Sequence, residues 1–242
     1  MSESLDSFVD SYKSYFKYNF DNEIILRWYS QRIIDSKIPA KTLLELGVGH
    51  GLTTPKFFSH FSKHVVIEGS GAVINQFRET YPHCNPQMIH SYFEDFQTSE
   101  KFDVIVMGFV LEHVDDPLLI LNHFKKFLSP EGRCFVAVPN GASLHREIGL
   151  KAGLLKDLML LGEADLELGH KRLYTVKTIS EDLEKAGYEI VRKEGVFLKP
   201  FTTSQLQSLK LSSDVIDAMC QVGVQYPELS AALLLEAKHK AL

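Results

Sequence analysis

Residues 43–52 read L-L-E-L-G-V-G-H-G-L. Leu43, Leu44 and Leu46 form an apolar run that ends abruptly in Gly47, Gly49 and Gly51, alternating with Val48 and His50, the pattern of a buried strand turning sharply into a helix. Glycine reaches φ > 0 without steric penalty and lets a ligand approach bare backbone. The N-terminus of the helix that follows aims unpaired N–H groups at whatever polar group lies there. Residues 65–70, V-V-I-E-G-S, repeat the theme with an apolar strand ending in Glu68, which stands where nucleotide folds accept two ribose hydroxyls. Together the two stretches indicate an adenosine-containing cofactor, with Gly69 and Ser70 beside its sugar.

The glycine spacing narrows the choice. A dinucleotide fingerprint needs G-x-G-x-x-G to admit a pyrophosphate, whereas position 52 is Leu and the glycines run G-x-G-x-G. Glu45 closes the first strand, and its negative charge opposes a pyrophosphate but attracts a cation. The chain here resembles the class I S-adenosylmethionine-dependent methyltransferases, whose first motif is an acidic residue followed by G-x-G-x-G. The resemblance implies that Glu45 and residues 47–51 hold the amino-acid end of S-adenosylmethionine and that Glu68 holds its ribose.

Composition sets the bounds. A chain of 242 residues with 45% hydrophobic content can bury one sizeable core, so a single catalytic domain is expected over 1–242. The net charge of −5, with basic and acidic residues mixed throughout, leaves no footprint for a phosphate backbone, and no nucleic-acid partner is expected. Cys84, Cys134 and Cys220 are far apart and form no C-x-x-C, which fits reduced thiols in the cytoplasm. The acidic N-terminus lacks an apolar signal region, and no apolar run approaches the ~18 residues of a membrane span, so no membrane association is expected.

Along the chain, residues 3–36 read as two helices split near residues 19–21, with Asp21 able to cap the second. The resemblance makes residues 1–38 a helical cap over cofactor and substrate, with Tyr15 or Tyr18 as candidate contacts. After Pro39, apolar strands alternate with helices, through residues 42–46, 64–68, 86–89 and 102–107, which is the signature of a parallel α/β sheet. Ligands then bind at the strands' carboxyl ends, where residues 47–51, 68–70, 91–95 and 108–114 all fall. In the resembled family the S-Y-F-E-D-F stretch recognises the adenine; Phe93 could lie against the ring and Glu94 or Asp95 could accept from its amine. Gly108 and Phe109 open the fourth strand's end onto the cofactor.

Residues 107–117 read M-G-F-V-L-E-H-V-D-D-P. A capping Asp115 or Asp116 with Pro117 in the first helical turn accounts for D-D-P but not for Glu112 and His113, which stand at the strand's mouth. L-E-H-V at this place resembles small-molecule methyltransferases of the ubiquinone-biosynthesis type. The stretch lacks the Asn/Asp-Pro-Pro-aromatic motif of nucleobase amino methyltransferases and the double-glutamate loop of the protein-arginine enzymes. S-P-E-G then reads as a turn before a fifth strand, and the Leu-rich residues 142–169 as a helical insertion at the strand ends, serving as a lid, as packing or as a homodimer contact. Thr175 begins an amphipathic helix closed by Gly187. A strand over 188–196, a helical segment over 203–221 and a last strand over 231–237 complete the reading. The resemblance implies a Rossmann-like fold: a mostly parallel seven-stranded sheet with an antiparallel last strand and helices on both faces.

Methyl transfer from a sulfonium needs an oriented acceptor, and a hydroxyl acceptor also needs a base. His170 is the first candidate, His113 the second, with His145 also near the mouth. Arg146, Lys151, Lys171 and Arg172 hint at an anionic small-molecule acceptor, against which Glu163, Asp165 and Glu167 count. His60 and His64 lie on different elements, so no metal is expected. The reading is an O-methyltransferase of small molecules; a silent cofactor-binding module and an NAD-dependent oxidoreductase are the alternatives.

Overall fold

The computed structural model describes Leu5 and residues 19–240; the helix expected before residue 19, with Tyr15 and Tyr18, lies outside the described residues. The elements run α1 (Asn19–Ile34), β1 (Thr42–Leu46), α2 (Thr54–His60), β2 (Lys63–Glu68), α3 (Gly71–Thr80), β3 (Gln87–His90), β4 (Phe102–Gly108), α4 (Pro117–Lys125), β5 (Leu128–Pro139), α5 (Leu144–Lys151), α6 (Glu163–Glu167), α7 (Val176–Lys185), β6 (Tyr188–Val196), α8 (Thr203–Ser208), α9 (Ser213–Gly223) and β7 (Ala232–His239). The strands form one sheet in the order β3-β2-β1-β4-β5-β7-β6. β7 runs antiparallel to both its neighbours, and the other pairings are parallel.

Alternation along each strand explains why helices cover both faces. On β4, Ile105 and Met107 join the cluster built with α4 and α7, while Val104 and Val106 join the cluster built with α1, α2 and α9. Successive side chains of a strand point to opposite faces, so a strand apolar at every position demands cover on both. Thr175 caps α7 with its hydroxyl on Thr178 N at 3.2 Å, and Ile179 and Leu183 of that helix are fully buried.

Four local expectations change. Asp21 does not cap α1, which begins at Asn19; it is buried in a pair with Lys199 and accepts from Thr203 Oγ1 at 2.6 Å. The third strand starts and ends one residue later than read, at Gln87 and His90. The S-P-E-G turn is an excursion within β5, whose pairing jumps from Leu128 opposite Phe102 to Arg133 opposite Val104. The single helix expected over 203–221 breaks into α8 and α9, because Lys210 adopts φ 48° between them. β6 and β7 pair antiparallel, with α8 and α9 between them in the chain.

Gly195 on β6 has no room for a side chain. A Cβ there would lie 2.3 Å from Gly223 O and 2.3 Å from Ser230 Oγ, and the first contact is backbone. Gly195→Ala should therefore destabilise the fold by roughly 2–3 kcal/mol, the upper part of the range for overpacking. Thermal unfolding should shift down by about 5–10 °C for a chain of this size. An unchanged melting temperature would show that the α9 end yields freely.

Candidate active site

The site is set by the carboxyl ends of β1, β2 and β4. Gly47 and Gly51 lie at φ 77° and 72°, a conformation that only a residue without Cβ adopts cheaply. Gly47 N donates to Ile67 O at 2.8 Å and Gly51 N to Val48 O at 2.9 Å, stitching the turn to β2 and to itself. The helix after the turn starts at Thr54 and not directly at the glycines. Thr53 leaves the helix uncapped and donates instead to Glu45 Oε1 at 2.7 Å; the other Glu45 oxygen meets His64 Nε2 at 2.9 Å. Glu45 is thus a buried anchor, 2% exposed, with both oxygens engaged.

Glu68 ties β2 to the glycine turn. Its carboxylate accepts from Val48 N at 3.0 Å and from Ser70 N at 2.8 Å. Burial pushes its pKa above the ordinary carboxylate value, and the Val48, Ser70 and Gly69 amides pull against that. Ser70 in turn caps α3 through Val73 N at 3.1 Å.

These groups open onto one cavity of about 940 Å³. Twelve of the residues singled out for the cofactor line it: Glu45, Gly47, Val48, Gly49 and Gly51 from the first turn; Glu68, Gly69 and Ser70 from the second; Phe93 and Glu94 from the third; and Gly108 and Phe109 from the fourth. Asp95 is exposed and off the wall. Phe93 stands edge-on to buried Phe124, ring centroids 6.3 Å apart. His113, His145 and His170 line the same cavity. His60 and His64 remain apart from each other, the first against Phe61 and the second on Glu45.

Sequence reasoning gave residues 1–38 as a helical cap but did not single out Asn22 or Tyr29 of α1. Asn22 Nδ2 lies 3.1 Å from His50 Nε2 in the glycine turn. Tyr29 fills the place of a side chain at Gly108, whose Cβ would come 2.2 Å from the Tyr29 hydroxyl. Burial and the charge on Glu45 push that hydroxyl's pKa up, so it stays protonated, hydrogen-bonded to Thr53. The bare pair of a helix aromatic and a strand-end glycine carries no local signal. Phe109, at φ 58°, sits edge-on to Tyr29 at 5.7 Å.

On the other wall, Glu112, His113 and His170 converge. Glu112 is fully buried and neither carboxylate oxygen has a hydrogen-bond partner among the described residues; burial lifts its pKa to about 7 against the pull of His170. The His113 and His170 rings meet edge-on at 4.8 Å. Burial, and then His170, lower His113 to about 3, so it is neutral at physiological pH. His170 Nδ1 lies 3.1 Å from Asp165 Oδ1. Burial raises the Asp165 pKa, but bonds from His170 and Gly162 N outweigh it and hold Asp165 below the ordinary value. Lys171 N donates to Glu112 O at 2.8 Å, locking the two distant segments together.

Three of the four basic residues read as an anion site are engaged with the protein itself. Arg172 donates to the carbonyls of Leu111 at 2.8 Å and Asp115 at 3.0 Å, Arg146 to those of Leu158 at 2.9 Å and Leu160 at 2.6 Å, and Lys171 pairs with Asp115. These contacts hold loops together. Residues 142–169 contribute His145, Arg146 and Asp165 to the wall while Leu154, Leu160 and Leu166 face outward. No helix among the described residues is long and apolar enough to cross a membrane.

The same architecture is found in known proteins. A relative from Methanocaldococcus jannaschii, itself uncharacterised, is 24% identical over 202 residues, covering 78% of this chain and 91% of its own. A Thermotoga maritima structure described as an S-adenosylmethionine-dependent methyltransferase, possible histamine N-methyltransferase, superposes with TM-score 0.66 at 15% identity, covering 98% of this chain and 100% of that one. Magnesium protoporphyrin IX methyltransferase from Synechocystis, solved with bound S-adenosylhomocysteine, gives 0.61 at 13% identity, covering 99% and 95%. At such identities the solved structures speak for the fold, and the family rests on a methyltransferase-domain model that matches residues 19–193. With G-x-G-x-G after Glu45, and with Glu68 closing β2 on the same cavity, the chain belongs to the methyltransferase-domain family and is an S-adenosylmethionine-dependent methyltransferase of class I.

Proposed function

We propose that this cavity transfers the methyl group of S-adenosylmethionine to a hydroxyl of a small molecule. The observation that carries the reading is the meeting of three features in one cavity: the positive-φ glycine turn, the ribose-ready Glu68, and the Glu112, His113 and His170 group opposite them. Glu45 and residues 47–51 would hold the cofactor's amino-acid tail, Glu68 its ribose, and Phe93 and Glu94 its adenine, with Gly108 and Phe109 completing the site.

The cofactor supplies the electrophile, and the protein supplies alignment and exclusion of water. When bound, S-adenosylmethionine would supply an electrophilic methyl carbon to the acceptor oxygen, the electrons of its carbon–sulfur bond staying on a then neutral sulfur. The hydroxyl proton passes to His170, whose ring Asp165 holds in place; His113, neutral beside it, is the second candidate. The solved relatives are described by acceptors as unlike as histamine and a magnesium porphyrin, so the preference for oxygen rests on the histidine pair alone.

Two measurements test this. S-adenosylhomocysteine should bind by calorimetry with one site per chain, and labelled S-adenosylmethionine should pass its methyl to hydroxylated metabolites ahead of their amine counterparts. Absence of S-adenosylhomocysteine binding overturns the cofactor assignment; transfer to amines alone overturns the choice of oxygen. Affinity for S-adenosylhomocysteine should also weaken as pH falls. Glu68 accepts the ribose hydroxyls best when ionised, and its raised pKa makes protonation begin above the pH at which an ordinary carboxylate protonates. Titrations across mildly acid pH should show the loss in the wild type and not in Glu68→Gln.

A further inference from the structure

We propose that Glu112, His113 and His170 form a binding site for one divalent transition-metal ion, whose open positions face the acceptor. Its role rests on the methyltransferase reading above, but its existence does not. One carboxylate oxygen of Glu112 and one ring nitrogen from each histidine all lie within 4.8 Å of one another. That is wider than the spacing around a bound ion, and side-chain rotation in a cavity of this size can close it. The set is two imidazoles and a carboxylate, which suits iron, zinc or manganese and leaves coordination positions open; magnesium and calcium prefer oxygen alone.

Two further features set this group apart from a chance cluster. Glu112 is fully buried with both oxygens unpartnered among the described residues, and a buried carboxylate in that position is unfavourable unless a proton or a cation meets it. A cation beside the histidines answers that need directly. Each histidine, moreover, already has a partner that leaves its other ring nitrogen for an ion. His170 Nδ1 is held by Asp165 Oδ1 at 3.1 Å, and the Gly169 carbonyl accepts a hydrogen bond from the His113 ring. Carboxylate and carbonyl partners of this kind orient metal-bound imidazoles. The chain between them is fixed as well, since Lys171 N bonds to Glu112 O and Gly169 N to Leu166 O.

With an ion in place, the acceptor is a molecule that presents an oxygen donor to it. His170 then promotes loss of the hydroxyl proton as a ligand and not by taking the proton itself. The proton leaves to water, and the oxygen remains bound and aimed at the methyl carbon.

Cobalt(II) is the probe. Untagged protein stripped by chelator and dialysed should take up one equivalent of Co²⁺ per chain, with visible ligand-field bands stronger than those of the aqueous ion. Glu112→Gln and His113→Ala should each weaken uptake by at least 10-fold, and Asp165→Asn, which touches only the second layer, by about 10-fold. S-adenosylhomocysteine affinity, measured on the same samples, should stay within about threefold and so certify that each variant is folded. Equal uptake by wild type and by folded Glu112→Gln, or a spectrum matching aqueous Co²⁺, overturns the proposal. If Glu112→Gln does not fold, Asp165→Asn carries the test alone. Uptake of one equivalent by a protein that fails to bind S-adenosylhomocysteine would keep the ion and remove the cofactor reading. An unpartnered Glu112 that instead bound an acceptor ammonium would leave Co²⁺ uptake indifferent to His113→Ala, which also counts against the ion.

Discussion

Replacing Glu68 with Ala should weaken S-adenosylhomocysteine binding by about 100-fold, some 2.7 kcal/mol. Two ribose hydroxyls donating to a carboxylate are charge-assisted bonds, each contributing roughly 1.5–3 kcal/mol, so a loss of this size is conservative. The substitution also strips partners from Val48 N and Ser70 N, which Glu68 holds at 3.0 and 2.8 Å. Without them the glycine turn loses one of its ties to β2, and the two buried N–H groups left unmade, at about 1–2 kcal/mol each, should make the free protein less stable by roughly 2–4 kcal/mol before any offset. The desolvation that raises the Glu68 pKa is relieved at the same time and offsets part of this. Glu68→Gln separates the effects. Its amide oxygen accepts one backbone N–H while its NH₂ confronts the other, so binding should fall nearly as far with a smaller loss of stability. Calorimetry and thermal melts on both variants provide the check; affinity within threefold of wild type for either would remove Glu68 from the cofactor site.

What could be read in the sequence was what is encoded locally. Leu43, Leu44 and Leu46 ending in Gly47 announce a buried strand and its turn because burial and backbone freedom act within a few residues. The same holds for Val65, Val66 and Ile67 before Glu68, and for the Thr175 cap before α7. What was not legible depends on contacts between distant segments. Glu112 and His113 stood out beside the fourth strand, and His170 stood out separately. Nothing in their spacing says that Lys171 N bonds to Glu112 O and brings the two histidine rings to 4.8 Å. The partners of the arginines were hidden for a related reason: nothing near Arg172 or Arg146 in sequence says that the carbonyls of Leu111, Leu158 and Leu160 accept from them. Tyr29 escaped notice because its role is defined by an absence, the missing side chain at Gly108. Asp21 likewise looked like a helix cap because its true partner, Lys199, is far along the chain.

His170→Ala should lower turnover by about 10²–10⁴-fold, the span that a positioned proton acceptor usually supplies, while S-adenosylhomocysteine affinity stays within about threefold, since no cofactor-holding group is touched. The ring is 8% exposed at its side chain and fixed by Asp165, so its removal opens space on the acceptor side and leaves Glu45, Glu68 and the glycine turn as they were. KM for the acceptor should change less than kcat if the ring acts mainly in the transition state. Asp165→Asn should fall between the variant and wild type, because an amide can still meet the ring but no longer favours the tautomer that presents the second nitrogen to the cavity. Chelation divides the two ways in which His170 can act. If it takes the proton itself, stripping divalent ions leaves wild-type turnover unchanged and His170→Ala remains defective in every buffer. If it acts through a bound ion, chelated wild type falls to the level of His170→Ala and recovers when the ion is returned, whereas the variant, having lost a ligand, does not. Turnover by His170→Ala equal to wild type under both conditions would take His170 out of the chemistry altogether and leave Glu112 as the group against which the acceptor must be oriented.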